Sequence, residues 1–455
     1  MNRLVFFVCV LLITIQVAKA QSSLILKSYI SQGLGNNLAL QQKSLNLEKS
    51  LQALKEANGL FYPSVSLNAQ YMLASGGRSV NLPIGDLLNP VYSSLNQLLQ
   101  NIGQQGNFPQ IDNQKIQFLP NDYHDTKIQI IVPLVNAEIY YNRKFKKEQI
   151  NYSQAEVKVY KRELVKEIKI AYMRYLQLVK VVEAYSSASE LVAEALRVNE
   201  KLVKNQMVGN DKLYRIRAEL SQVEAQLTKA ENDRKSAISY FNFIINQPLQ
   251  SEIKTDSLLL NNQEVISVKP LIAEVEIREE LTQIRSAVNA SQIYLNMKKA
   301  YWIPTISNIT DLGYQGNQYK FNGEQRYAMN VIDFRWKIFD GLQNRRRISQ
   351  ARIDKDILDK KYAETGQQLD LQLQLSQNNL ETSVRTEKAN LSSLTSSKEY
   401  YKVISLHYAE GQKSLLDLLD ARNQLTSSQI NYAVSHFETL IRLAELERAN
   451  AGYEL

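Results

Sequence analysis

The chain has 455 residues, with 54 basic against 46 acidic side chains and a formal charge of +8. Its single cysteine, Cys9, excludes a disulfide framework and a cysteine metal site. Charges of both signs are interspersed, as on solvated helix faces, so the basic excess does not imply nucleic acid.

Residues 1–20, MNRLVFFVCVLLITIQVAKA, join an early cation, Arg3, to an apolar run from Leu4 to Val17 and an Ala-Lys-Ala end. This is the pattern of a cleaved secretory signal peptide, too short for a span and followed by no stop-transfer segment. Cys9 lies inside it without the small residues of a lipoprotein cleavage site. The expected mature chain of about 435 residues therefore has no thiol, and without Arg3 and Lys19 it carries 52 bases against 46 acids, a charge of +6.

Residues 21–62 predict N-terminal helices. Residues 63–73, PSVSLNAQYML, alternate Val65, Leu67, Ala69 and Tyr71 with Ser64, Ser66, Asn68 and Gln70, and residues 126–133, TKIQIIVP, put Ile128, Ile130 and Val132 on one face. Both predict strands with one apolar and one polar face, forming a first hairpin over 63–135. Between them, residues 72–125 contain Gly76, Gly77, Gly85, Gly103 and Gly106 with Pro83, Pro90, Pro109 and Pro120, the composition of a long irregular loop, extracellular in a membrane barrel.

From residue 137 to 208 there is neither glycine nor proline, which gives a helix of roughly 100 Å if unbroken. Leu164, Ile168, Ala171, Tyr175, Leu178 and Val182 alternate steps of four and three, the seam of a coiled coil, continued by Ser189, Val192, Leu196, Asn199 and Val203. The first long helical pair covers 136–248, with its turn near 206–214. After a linker over 249–275 and a helix over 276–303, residues 304–310, PTISNIT, predict a weaker strand, followed by a loop over 311–325. Residues 327–339 show the clearest alternation, with Ile332, Phe334, Trp336 and Ile338 opposed to Asp333, Arg335 and Lys337. The remainder, 340–455, is a second long helical pair with its turn near 408–416 and a seam through Ile430, Ala433, Phe437, Leu440 and Ala444.

The order repeats, and the residues repeat with it. ANGLFYPSVS (57–66) is similar to KAYWIPTIS (299–307), PLVNAEI (133–139) to KIFDGLQ (337–343), and MVGNDKLYRI (207–216) to AEGQKSLLDL (409–418), the last with Gly209 and Gly411 offset by 202. The fold class is mainly α with a small β part and an internal duplication. Two hairpins cannot form a stable sheet in water with open edges and a greasy face, so several copies must close a barrel. Apolar-out, polar-in strands in a secreted chain describe an outer-membrane barrel, and Tyr62, Tyr301 and Trp302 before the strand prolines suit its aromatic belt.

The repeated layout, the strand starts FYPSVS and WIPTIS, the segment IFDGLQNRR and the final EGQKSLLDLLDARNQLTSSQINYAVSHFETLIRLAELERANAG resemble the TolC family of outer-membrane efflux proteins. The resemblance implies a homotrimer in which each protomer gives four strands to a 12-stranded barrel and four long helix stretches to a 12-helix periplasmic tunnel. It implies export of drugs, toxins or proteins in an efflux or type I secretion system. The partners it implies are outer-membrane lipid, a periplasmic adaptor (membrane fusion protein) and an inner-membrane RND, ABC or MFS transporter, with no cofactor. The helix reversals furthest from the membrane become the entrance and the adaptor-docking tips, here Val208, Gly209, Asn210, Gly411 and Gln412. Asp417 and Asp420, three residues apart on one helix face, match aspartates that ring the entrance. Three chains would gather up to six carboxylates with pKa values raised by mutual repulsion. Tyr408 and Lys413 fall where relatives tie the helices shut, although lysine lacks the bidentate contact of arginine. Arg215, at the 202 offset from Asp417, replaces an expected acid and is a candidate partner for Asp417. Asp333, Arg335 and Lys337 are expected to line the barrel lumen.

Enzyme signatures are absent: no phosphate-binding loop or nucleophile elbow occurs, and His124, His407 and His436 lack ligand spacing and read as loop or helix-surface residues. A periplasmic coiled-coil adaptor or scaffold is the competing reading, but it leaves the alternation at 327–339 and the segment 72–125 without a purpose.

Overall fold

The structure, a computed structural model, describes residues 24–119, 121–261 and 278–452. The signal peptide, Cys9 and most of the linker after residue 261 lie outside the described residues. The chain divides into two compact units, one built from residues 24–52, 146–292 and 353–452, the other from 53–145 and 293–352.

The first unit is helical. Helices α1 (Leu24–Asn36) and α2 (Leu38–Gly59) are separated by Asn37, whose Oδ1 caps α2 through Leu40 N at 2.9 Å and whose Nδ2 donates to Ile244 O at 2.8 Å. The long helices are α4 (Ala137–Lys204, 68 residues) with α5 (Asn210–Ile244, 35 residues), and α8 (Gln343–Ala409, 67 residues) with α9 (Leu415–Ala449, 35 residues). The expected seam packs: Leu164, Ile168, Ala171 and Tyr175 are buried and join Tyr172, Leu176, Phe241, Phe437 and Ile441 in one core. At about 25 cal/mol per Å² of apolar area, burial of such side chains drives the helices together. A smaller cluster near the helix reversals joins Ala188, Val192, Ile216, Val223, Leu415 and Leu419. Short α6 (Ser257–Asn261) and α7 (Glu279–Lys299) complete the set among the described residues.

The second unit holds a four-stranded antiparallel sheet, in order β1 (Ser64–Met72), β4 (Tyr123–Val135), β5 (Thr305–Asn317) and β6 (Arg326–Arg335). The two expected hairpins are thus one sheet, joined through β4 and β5. Register puts Leu67, Ile128, Leu312 and Ala328 in one row, and Ser66, Gln129, Asp311 and Met329 in the next, so the apolar and polar faces run across all four strands. Within this sheet β1 and β6 each have one paired edge only.

Three expectations need correction. Residues 72–125 are not irregular: they contain β2 (Ser79–Leu82), α3 (Ile84–Asn101) and β3 (Gln114–Gln117), with β2 paired to β3. Pro83 occupies the N-cap and Pro90 lies in the helix, so a proline count hid an amphipathic segment with strong helical period. β5 runs on to Asn317, leaving 318–325 rather than 311–325 as the turn, because Leu312 and Tyr314 keep the alternation beyond the weak PTISNIT start. β6 ends at Arg335, so Lys337 is not a strand residue.

The duplication has a physical signature in the helix caps. Asn136 Oδ1 accepts from Glu138 N (3.0 Å) and Ile139 N (3.2 Å) before α4, and Asp340 Oδ2 accepts from Asn344 N (3.0 Å) before α8.

Candidate gate and pore-lining site

Both long-helix reversals use the same hydrogen bonds. After α4, Met207 N donates to Leu202 O and Gln206 N to Val203 O, both at 2.9 Å; after α8, Gln412 N donates to His407 O (2.8 Å) and Gly411 N to Tyr408 O (3.0 Å). These are Schellman motifs, whose left-handed residue is Gln206 (φ 58°) in the first and Gly411 (φ 76°) in the second. Gly209, expected as the left-handed turn residue, instead has φ −77° and is the N-cap of α5. A Cβ there would meet only the Asp211 side chain, whose carboxylate can turn away. The caps, Gly209 and Ser414, and the helix ends, Ile244 and Ala449, are each offset by 205, not 202. Asp417 is therefore the structural counterpart of Lys212, and Arg215 that of Asp420. Of the tip residues, Gly209, Asn210, Gly411 and Gln412 are exposed, Val208 is half-buried, and Gln412 Oε1 lies 2.8 Å from His407 Nδ1.

Asp417 closes a capping box. Its Oδ2 accepts from Ser414 N (2.9 Å) and from Ser414 Oγ (2.8 Å), and Ser414 Oγ accepts from Asp417 N (3.2 Å). The Ser414 side chain first, then its backbone N–H and nearby Lys413, hold the Asp417 carboxyl below its usual range. Within one protomer the direction is thus opposite to that expected from carboxylate repulsion. Asp420, Lys413 and Arg215 are exposed, and no ion pair joins Arg215 to Asp417. Tyr408 is half-buried, and its hydroxyl accepts from Nδ2 of Asn199, a fully buried seam residue of α4, at 3.1 Å.

Three residues beyond Leu419 the reversals are tied more firmly. Arg422 on α9 is 3% exposed and donates through Nη2 to Glu219 Oε1 on α5 at 2.7 Å, and Asn423 Nδ2 donates to the same oxygen at 2.9 Å. Burial pulls the Arg422 guanidinium down against the opposing pull of Glu219.

In the sheet, Asp333 and Arg335 lie on the polar face as expected and pair at 2.8 Å, while Lys337 lies past the strand end. The same face carries Lys127, whose Nζ is 2.8 Å from Asp311 Oδ2 and 3.5 Å from Asp125 Oδ2; Gln129 donates to Asp311 at 2.9 Å and Tyr327 to Asp125 at 2.9 Å. On the opposite face Val65 (67% exposed), Leu67 (72%), Ile332 (57%) and Phe334 (57%) are bare. Asn308, Thr310 and Asn330 interrupt that apolar face but satisfy one another at 2.8–3.1 Å.

Residues 275–452 match the profile of the outer membrane efflux protein family. The fold matches solved outer-membrane channels along nearly the whole chain: CmeC of Campylobacter jejuni (TM-score 0.72, 14% identity, 94% of this chain and 85% of that one) and VceC of Vibrio cholerae (0.70, 13%, 93% and 95%). The open state of MtrE from Neisseria gonorrhoeae matches equally (0.72, 15%, 93% and 88%). The chain has the fold of these outer-membrane channels, and its residues 275–452 carry the efflux-family match. No curated protein matches its sequence significantly.

The matched structures are outer-membrane channels, and at 13–15% identity the likeness shows that this chain shares their fold. What sequence reading missed in it are pairings between distant residues. Glu219 and Arg422 look like ordinary charges on amphipathic helices, and only packing shows that they meet. Two histidines also depart from the surface reading. His124 is fully buried, with Nε2 3.0 Å from Lys320 O and 2.9 Å from Gln325 Oε1, and His436 is buried with Nδ1 2.7 Å from Glu387 Oε1. Each found a polar partner from another segment, which makes burial affordable. Among the described residues no group of three or more His, Cys, Asp or Glu side chains is placed to hold a metal.

Proposed function

We propose that three copies of this chain close their sheets into one 12-stranded barrel and their long helices into one tunnel, forming a passive duct. An inner-membrane transporter hands drugs, toxins or proteins to it through a periplasmic adaptor docked on the reversals around Val208–Asn210 and Gly411–Gln412. The observation that carries this reading is the sheet: one face apolar and exposed, the other lined with Lys127, Asp125, Asp311, Asp333 and Arg335, and both edge strands open. A sheet with those three properties is satisfied by lipid outside, water inside and further copies at its edges. Four strands are too few to close around a lumen, and twelve suffice.

In this reading the entrance is controlled where the two reversals approach each other, by Asn199–Tyr408 and Glu219–Arg422 within a protomer and by Asp417 and Asp420 facing the axis. Asp420 is unencumbered, and Asp417 keeps a charged carboxylate at neutral pH, so the ring attracts cations. Energy comes from the partners, because the chain has no nucleotide-binding loop. Replacing Asp417 and Asp420 together by alanine is expected to weaken block of the reconstituted channel by multivalent cations in planar-bilayer recordings; unchanged block refutes the gate assignment. A protein released from membranes by carbonate wash, without detergent, would instead be the periplasmic scaffold.

A further inference from the structure

The insertion found only in the first repeat contains a helix with an inverted relation to its surroundings. In α3 the polar side is fastened to a neighbouring segment through half-buried Asn89 and Asn96, while most of the apolar side is bare. Asn89 Nδ2 donates to Ile111 O (2.9 Å) and its Oδ1 accepts from Ile111 N (2.8 Å). Asn96 makes the same two-way contact with Phe108, at 2.9 and 3.0 Å, and Asp86 accepts from Asn113 Nδ2 at 2.9 Å. The returning segment, residues 103–113, is thereby fastened to the polar face. The opposite face is left with Leu88 (36% exposed), Val91 (52%), Leu95 (38%), Leu98 (61%) and Ile102 (70%), flanked by Leu87 (69%). A water-soluble helix does the reverse, and a bare stripe of this length marks an interface.

The spacing says what kind. Half-buried Ile84 and the bare Leu88, Val91, Leu95, Leu98 and Ile102 are separated by four, three, four, three and four, an a/d seam with Leu88, Leu95 and Ile102 at one position and Ile84, Val91 and Leu98 at the other. That period suits a second helix lying alongside. The helix also lacks any basic residue, its one charge being Asp86, whereas helices that lie on anionic lipid are rich in Lys and Arg on their polar face. Among the described residues no other helix covers the stripe, since Leu88, Val91, Leu95, Leu98 and Ile102 stay exposed. The insertion leaves β1, an open edge of the sheet, and β1 is the strand that must meet the next protomer if three copies close a barrel. The stripe belongs to the same compact unit as β1 and is tethered to it by only the residues between Met72 and Ile84, so three closed copies would bring three such helices to the same end of the barrel.

We propose that the α3 helices of three protomers pack against one another through this seam, forming a helical cluster at the loop end of the barrel. This inference rests on the trimeric reading above. One helix of 18 residues is too short to associate alone with any strength, but a barrel that already holds three copies together supplies the effective concentration that makes so small a seam stable. The cluster would sit across the barrel mouth and set what leaves it.

The chain's lack of any cysteine other than Cys9 makes the test direct. Single variants Leu98→Cys and Val91→Cys, at seam positions, and Gln100→Cys, on the opposite side, are purified in mild detergent and their mass is measured by light scattering before mild oxidation. At a seam the thiols come within disulfide reach. The expected result is a trimer mass for all variants and, on non-reducing gels, a protomer–protomer band for Leu98→Cys or Val91→Cys that is at least tenfold stronger than for Gln100→Cys. A trimer in which neither seam variant crosslinks overturns this inference and leaves the duct intact; a monomer mass overturns the trimeric reading itself. Leu98→Trp in nanodiscs containing brominated lipid separates the alternative: strong quenching places the stripe in lipid and overturns the seam, and unquenched emission supports it.

Discussion

Replacing Arg422 by methionine tests whether the buried ion pair holds the two reversals together. Arg422 is 3% exposed, its Nη2 lies 2.7 Å from Glu219 Oε1, and Glu219 is 9% exposed. Methionine fills much of the stem volume but removes the charge, leaving the Glu219 carboxylate buried with only Asn423 at 2.9 Å as donor. Removing one partner of a buried pair costs about 3–5 kcal/mol, whereas replacing both by apolar residues of similar size is close to neutral. On the gating proposed above, in which the pair is made only when the entrance is closed, the cost falls on the closed arrangement. At about 1.4 kcal/mol per tenfold, the closed-to-open ratio of the Arg422→Met channel should fall by roughly 10²-fold or more.

The assay is single-channel recording of the purified protein in planar bilayers, with a thermal melt in parallel. Arg422→Met should raise open probability and lower the melting temperature, and the double variant Glu219→Leu with Arg422→Met should recover most of the melting temperature. A single variant that stays as closed as the parent refutes the assignment of the pair to closure. A double variant no better than the single would show that lost packing, not an unpaired carboxylate, caused the effect.

Acid stability should depend on Glu280. Burial acts to raise its carboxyl, and Arg278 with Arg448 outweigh that and hold it below the usual range, so it stabilises the fold above the ordinary glutamate value and ceases to do so as pH falls through the depressed one. Glu280→Gln should therefore flatten the acid limb of a stability-versus-pH curve. His436→Ala leaves Glu387, 1% exposed, without its hydrogen-bond partner at 2.7 Å and should cost about 1–3 kcal/mol in chemical denaturation. Gln206→Gly should stabilise the first reversal by about 1 kcal/mol, and Gly411→Ala should destabilise the second by a similar amount, since both positions have positive φ.

The long helices, the four main strands and the duplication were legible because each is a period repeated over many residues. The seam Leu164–Ile168–Ala171–Tyr175 is buried as its spacing demanded. Ends were less legible, since β6 stops at Arg335 although the alternation continues through Trp336 and Ile338: a strand ends where its pairing ends, and pairing with Thr305 was not visible in residues 327–339 alone. The insertion was misread for a different reason. Proline and glycine were counted as breakers, but Pro83 precedes α3, Gly103 and Gly106 follow it, and the helix tolerates Gly85 in its first turn and Pro90 within it, so punctuation was taken for absence of a helix. Of the candidate gate, Asp417, Asp420 and Tyr408 were expected from resemblance, whereas the pairings of Glu219 with Arg422 and of Asn199 with Tyr408 carry no local signal, because they arise only when helices 200 residues apart are packed together.

The two reversals share a backbone and differ in what secures it. The second has glycine at the left-handed position and a serine–aspartate capping box immediately after it, so its carbonyls and amides are satisfied without strain. The first forces Gln206 into the left-handed region and begins α5 on Gly209, which offers no side-chain cap. Residues that were equivalent after duplication have thus been divided between a well-secured turn and a weakly secured one. The capping requirement also explains why Asp417 is paired within its own helix end: an acid three residues after the N-cap is stabilising there whether or not a pore exists. Of the two aspartates, Asp420 is the one whose position the helix itself does not require, and its counterpart at the 205 offset is Arg215. If three copies assemble as proposed, an acid in one repeat and a base in the other at the same level of the duplicated hairpins would set Arg215 beside the cation-attracting aspartates, where it could help neighbouring helices close.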